Sequence, residues 1–277
     1  MTEAKQERIA KVLARAGLCS RREAERWIEA GRVAVDGEVL ASPAFNVGTE
    51  ARITVDGKPI ALAEATRLWR YHKPRGLITS HRDPEGRPTV FEKLPAELPR
   101  VVSVGRLDVA SEGLLLLTND GELARHLELP GTGWSRRYRV RVHGLVAQAR
   151  LDALAEGVTV EGMRYGPIEA RLDRAQGANA WLTMTLKEGK NREIRRLATH
   201  LGLEVTRLIR IAYGPFQLGD LKRGEATEVK ARVLADQLGP AAARFGLKLG
   251  GPQAKAAPKP RRRPGAGKRD AHRRRPA

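Results

Sequence analysis

The chain reads as an α+β protein in three parts: a small helix-pair and hairpin domain over 1–62, a larger domain over 67–240 on a mixed, largely antiparallel sheet, and a basic tail over 251–277. Three observations lead there. Two short helical patterns near the start are followed by two Asp-Gly turns flanked by alternating apolar residues, a hairpin signal. From Leu68 onward strands alternate with helices and hairpins, without the regular repeat of a parallel βαβ fold. Past Gly250 the chain is Lys, Arg, Pro, Ala and Gly with almost nothing apolar, a composition that reads as disordered.

The elements follow in order. Ile9, Val12, Leu13 and Ala16 sit at helical spacing over 6–16, and Gly17 ends that helix. Ser20 and Glu23 form a capping box for a second helix running to Ala30. The Asp36-Gly37 and Asp56-Gly57 turns then each close a hairpin, and 61–66 reads as a linker. In the larger domain, strands are expected at 68–73, after the Pro74-Arg75-Gly76 turn, and at 101–104, 113–118, 138–142, 180–186 and 204–211. A short helix starts after Asn119-Asp120-Gly121, and another spans 191–200.

Composition removes several classes of function. The single Cys19 cannot build a disulfide framework or a Cys-rich zinc site, and the six histidines have no HxH or HxxxH spacing, so no metal is expected. No Walker loop or G-x-G-x-x-G is present, so no cofactor is expected. The longest apolar run is too short to cross a membrane, and the polar start of the chain is unlike a signal peptide. A cytoplasmic monomer is the expectation.

Charge points to a partner. Lys and Arg number 51 against 32 Asp and Glu, a formal net charge of +19. The tail holds ten Lys/Arg against Asp270 alone, so the body is also basic. A basic body with a basic arm suits a polyphosphate, above all nucleic acid. The first sixty residues are nearly neutral, with ten basic against nine acidic residues. On their second helix Arg21, Arg22 and Arg26 gather on one side, either to meet phosphates or as a solvated face shared with Glu23, Glu25 and Glu29.

The segment richest in chemistry is Gly105-Arg106-Leu107-Asp108-Val109-Ala110-Ser111-Glu112-Gly113-Leu114-Leu115-Leu116-Leu117-Thr118-Asn119. It sets a carboxylate on a loop between two strands, where catalytic groups are held by a rigid scaffold. By local pattern alone, Asp108 reads as a turn or cap residue.

Whole motifs go further. Lys11-Val12-Leu13-Ala14-Arg15-Ala16-Gly17 with Ser20-Arg21-Arg22-Glu23, then Gly31-Arg32-Val33-Ala34-Val35-Asp36-Gly37-Glu38, resembles the small RNA-binding domain named after ribosomal small-subunit protein four. The Asp108 segment resembles the signature of the RsuA/RluB-type ribosomal RNA pseudouridine synthases. Ser135-Arg136-Arg137-Tyr138-Arg139-Val140-Arg141-Val142 is similar to that family's second motif. Lys187-Glu188-Gly189-Lys190-Asn191-Arg192-Glu193-Ile194-Arg195-Arg196-Leu197 is similar to its third, and Tyr71-His72-Lys73-Pro74-Arg75-Gly76 to its opening strands. The details lean to the RluB branch.

The resemblance implies isomerisation of uridine to pseudouridine in ribosomal RNA, in that branch the large-subunit RNA or its assembly intermediate. It implies Asp108 as nucleophile, either attacking the sugar or assisting its loss of a proton. It further implies Arg195 as the ion-pair partner of Asp108, and Tyr138 stacked on the uracil. Arg106 would hold the gap left by the flipped base, and Ile194 would pack against the base. Lys73, Arg75, Lys190, Asn191, Arg192 and Arg196 are the phosphate candidates, with the tail adding salt-dependent affinity. Each of these side chains has a plainer reading, as a core residue or a solvated charge. Alternatives are a synthase acting on small-subunit RNA or transfer RNA, and a non-catalytic RNA-binding or ribosome-assembly protein.

Overall fold

A computed structural model describes residues 6–61 and 64–249; the expected basic tail lies outside the described residues. The first helix is Ile9–Arg15 and the second Arg21–Glu29. The capping box forms as expected: the Glu23 amide donates to Ser20 Oγ at 3.2 Å, and the Ser20 amide donates to Glu23 Oε2 at 3.5 Å. Behind the helices the two hairpins join into one four-stranded antiparallel sheet, with Val33–Val35 paired to Ile53–Val55. Ile9, Leu13, Ala24, Ile28, Val33 and Ile53 close the core between them. Lys11 bonds to Glu122, and Arg15 lies 3.7 Å from Asp120, so this unit meets the helix Gly121–Glu128 of the larger domain.

The larger domain is built on a nine-stranded sheet. Its main path runs Ile168–Gln176, Asn179–Leu186, Arg136–His143, Glu204–Tyr213, Glu112–Thr118, Leu68–Lys73 and Ala226–Val229. Phe216–Gln217 pairs with Glu204–Tyr213, and Val102–Val104 with Glu112–Thr118. Every pairing is antiparallel except Glu204–Tyr213 beside Glu112–Thr118, which is parallel through Ile209↔Glu112 and Arg210↔Gly113. The mixed, largely antiparallel sheet expected from the pattern is therefore present.

The parallel seam needs a glycine. Gly113 has φ +107°, and a Cβ there would stand 2.3 Å from the Arg210 carbonyl oxygen. The strand Glu112–Thr118 is buried throughout and carries apolar clusters on both faces. In the half made of Arg136–His143, Asn179–Leu186 and Ile168–Gln176, one face packs under Leu151, Leu154, Ile194 and Leu197. The other face carries Arg137, Arg139 and Arg141 into solvent.

Two expected elements differ. After the Pro74-Arg75-Gly76 turn there is a single parallel bridge, Ile78↔Thr89, in place of a strand. The Thr79 side chain is turned inward, where it bonds Leu107. The helix expected from Asn191 begins at Glu193, because Arg192 takes a left-handed conformation at φ +51°. The segment 189–192 thus stays a loop.

Candidate active site

Asp108 sits on the crossing between Val102–Val104 and Glu112–Thr118, and this loop is held at every turn. The Gly105 amide donates to Glu128 Oε1 at 2.6 Å. Five successive carbonyls are then occupied. Leu107 accepts from Thr79 Oγ1 at 2.9 Å. Asp108 accepts from the Ser111 amide at 2.9 Å and from Lys73 Nζ at 3.2 Å. Val109 accepts from the Gly76 amide at 2.8 Å, Ala110 from Arg195 Nη2 at 3.1 Å, and Ser111 from Lys73 Nζ at 2.9 Å. With its carbonyls from Leu107 to Ser111 all bound, the loop has little freedom, so the carboxylate projects from a fixed platform.

The platform opens on a cavity of about 930 Å³. Asp108, Tyr138 and Ile194 line it together with Arg106, Lys190, Asn191 and Arg192. Tyr138 stands on the strand Arg136–His143 between Met184 and Arg210, and a register shift against the latter strand falls between Arg137 and Tyr138. Such irregularities turn side chains next to functional sites. The ring packs against both apolar clusters that meet there and keeps part of its surface in the cavity. Ile194 is buried on the facing helix Glu193–His200, and Arg106 is exposed at the rim.

Two expected roles are corrected by the geometry. Lys73 does not meet phosphate: it is fully buried, and its ammonium binds the carbonyls of Pro74, Asp108 and Ser111. A strand residue of alternating pattern faces either way, and here the inward turn places the charge beneath the Asp108 loop. Burial pulls its pKa down to about 8, against the attraction of Asp108 and Glu112. Arg195 is likewise not within ion-pair distance of Asp108. Its guanidinium is spent on the Ala110 and Val205 carbonyls, and Nε is buried without a partner. Burial lowers its pKa, as do Arg192 and Arg75, while Asp108 opposes them. The arginine that approaches the carboxylate is Arg192, at 3.9 Å from Oδ2.

Among the other phosphate candidates, Arg75 and Asn191 are exposed and Arg196 is half-buried outside the cavity lining. Lys190 Nζ is already engaged by Glu188 at 2.7 Å and the Arg164 carbonyl at 2.6 Å. Arg21, Arg22 and Arg26 are all exposed on the second helix. No three His, Cys, Asp or Glu side chains converge on a possible metal site among the described residues.

Sequence reasoning missed Arg210 and Glu193. Arg210 is buried on the cavity wall across from Tyr138, with Nε on the Leu114 carbonyl at 2.7 Å and Nη2 unpartnered. The signal was available: it is a charge between Leu208 and Ala212 on the inward phase of its strand. Glu193 is buried in the same wall. Its Oε2 accepts the Lys190 amide, Oε1 has no partner, and burial raises its pKa.

The family model described as RNA pseudouridylate synthase matches residues 67–200, and the S4 domain model matches 7–53. An uncharacterized RNA pseudouridine synthase of Rickettsia prowazekii is 46% identical over 231 residues, covering 83% of this chain and 97% of that protein. The chain belongs to the RNA pseudouridine synthase family. It is of the type with an S4 domain in front of the catalytic domain, and is 45% identical over 230 residues to ribosomal large subunit pseudouridine synthase B of Escherichia coli strain K12. That match covers 80% of this chain and 79% of the relative. A crystal structure of a pseudouridylate synthase superposes with a TM-score of 0.58 at 26% identity, covering 83% of this chain and 99% of the other.

Proposed function

We propose that this synthase isomerises a uridine of large-subunit ribosomal RNA, with Asp108 as the nucleophile and the target base flipped into the cavity. The observation that carries it is the pinned loop: Asp108 is aimed into the same cavity as Tyr138 by a backbone whose carbonyls from Leu107 to Ser111 are all bound. The large-subunit assignment is supported by the likeness to the E. coli enzyme named for that subunit.

The reaction breaks the bond from uracil N1 to the sugar and makes one from C5 to the same carbon. The C5 proton leaves and N1 gains one, so atoms balance without a redox step. Attack on the sugar and removal of a sugar proton both need an ionised carboxylate. Arg192 stands 3.9 Å from Oδ2, and the third of the side chain left open admits the sugar. A base leaves its stack only if new contacts replace those lost. Tyr138 offers a ring face for the base and a phenol for proton transfer, and Ile194 an apolar wall. Arg106 at the rim is placed to hold the strand from which the base has left.

Asp108→Asn keeps the shape and removes the charge. The variant is expected to fold and bind RNA yet release no tritium from 5-tritiated uridine in ribosomal RNA. Turnover at the unmodified rate would overturn the nucleophile assignment. Pseudouridine mapping of both ribosomal RNAs and of transfer RNA, from cells with and without the protein, decides the target. A site confined to small-subunit or transfer RNA would refute the large-subunit reading.

A further inference from the structure

The uncovered rear of the sheet has a charge pattern that the catalytic cavity does not use. Strand register sorts its residues into rows. One row runs Arg171, Thr183, Arg139 and Ile209, and the next Arg174, Trp181, Arg141 and Arg207. Arg139, Arg141, Arg171 and Arg174 are exposed, and Arg137 extends the line along its strand. Alternate residues on a strand are about 7 Å apart, the scale of neighbouring phosphates on a nucleic-acid strand. The Arg139 guanidinium lies over the Trp181 ring at 4.8 Å, which holds it flat against the sheet. A shallow hollow of about 470 Å³ opens beside it, lined by Arg139, Arg171, Leu172, Thr183 and Asp173, the carboxylate that pairs with Arg171.

Stability does not account for this pattern. Arg141 faces Arg207 directly across two strands, and like charges in that position oppose pairing. Arg207 is neutralised by Glu112 at 2.6 Å, and Arg171 by Asp173 at 3.0 Å. Among the described residues no carboxylate lies within ion-pair distance of Arg139, Arg141 or Arg174. Glu169 and Glu204 stand only at the two ends of the face, in the outer rows. Three unneutralised guanidinium groups beside a stacked tryptophan, on a bare sheet face, form a complement to a polyanion.

We infer that this rear face, centred on Arg139, Arg141, Arg174 and Trp181, is a second RNA-binding surface that grips backbone phosphates of a structured RNA away from the flipped uridine. The inference rests on the reading that the substrate is a large folded RNA. A strand seated in the cavity lies on the opposite side of the sheet, so an RNA large enough to reach both sides is clamped from front and rear. This surface contributes affinity and orientation, while the chemistry stays in the cavity.

The test compares the full chain with the double variants Arg139→Glu/Arg141→Glu and Arg139→Gln/Arg141→Gln. Two probes are used: a short hairpin RNA with one loop uridine, which reaches the cavity only, and protein-free transcripts of whole large- and small-subunit ribosomal RNA. For the transcripts, the glutamate variant is expected to bind at least about tenfold more weakly. The fall of log affinity with log salt should become shallower by about two, from two lost duplex contacts at about 0.9 each. Hairpin binding and single-turnover rate on the hairpin should stay within about twofold, with an unchanged melting temperature. The glutamine variant should move the same way by a smaller factor, which keeps the test readable if charge reversal impairs folding. Unchanged transcript affinity and salt slope would overturn the inference. So would equal losses on hairpin and transcript, which would assign the arginines to the cavity or the fold. Loss of binding to a polyglutamate probe with transcript affinity intact would give the face to an acidic protein and also overturn it. If neither transcript is modified by the unaltered protein, the substrate reading fails separately, because the binding comparison does not depend on turnover.

Discussion

Replacing Lys73 by Met should uncouple catalysis from folding. The fully buried ammonium binds three carbonyls, two of them in the Asp108 loop. Met fills a similar volume but donates nothing, leaving the Pro74 and Ser111 carbonyls open at ~1–3 kcal/mol each, while the Asp108 carbonyl keeps the Ser111 amide. Against that stands relief from burying a charge. Its pKa falls from 10.5 to about 8, which corresponds to a ~3 kcal/mol preference for the neutral form. The two effects oppose, and the net destabilisation is ~1 kcal/mol. For a chain of this size that lowers the melting temperature by roughly 2–4 °C. The rate should suffer more. Once the Ser111 carbonyl is released and Asp108 loses one of its two donors, the carboxylate is no longer fixed, and displacement by about 1 Å costs ~100-fold. The pH dependence separates the two effects. In the native protein a neutral amine has two N–H donors for three carbonyls, so single-turnover rate should fall as pH rises through about 8. Stability should not follow. Between about 8 and 10.5 the unfolded chain binds the proton that the folded chain has lost, so this group's contribution to stability rises with pH. The measurements are thermal unfolding by circular dichroism and tritium release, both from pH 6.5 to 9.5. A Lys73→Met variant with native turnover, or a native protein whose rate is flat through pH 9, would refute the platform argument.

Arg195→Met should lower the single-turnover rate by about 10–100-fold by freeing the Ala110 carbonyl and letting the loop shift, whereas Arg192→Gln, on an exposed side chain 3.9 Å from Asp108, should lower it by less; equal losses in the two variants would contradict the division between holder and charge partner. Gly113→Ala puts a methyl 2.3 Å from the Arg210 carbonyl at φ +107°, and the parallel seam should lose more than about 3 kcal/mol, read as insoluble expression or a large drop in melting temperature. Dialysis against a divalent-metal chelator should leave tritium release intact, since no cluster of three candidate ligands exists among the described residues; loss of activity restored by added metal would contradict this.

The residues that meet in the cavity were largely legible in the sequence because their signals are local. A capping box, an Asp-Gly turn or an alternating strand is decided by neighbours a few positions away, and Ser20 and Glu23 close on each other as their spacing requires. The motifs holding Asp108, Tyr138 and Ile194 name the groups of the site, and the sheet brings all three to one cavity. The partners of the charges were another matter. Lys73 reaches carbonyls 35 and 38 residues away, and Arg195 one 85 residues away. A lysine on a strand has the same local pattern whether it faces phosphate or the underside of a loop. Only the sheet order, with Leu68–Lys73 beside Glu112–Thr118, turns Lys73 inward. The same holds on the other half of the sheet. The alternation of Arg136–His143 marks two faces, but burial alone makes Tyr138 part of the cavity wall and leaves Arg139 and Arg141 on the bare rear. Residue type and periodicity are properties of the chain, whereas the dielectric around a charge and the acceptor it finds depend on segments that meet only when the sheet closes.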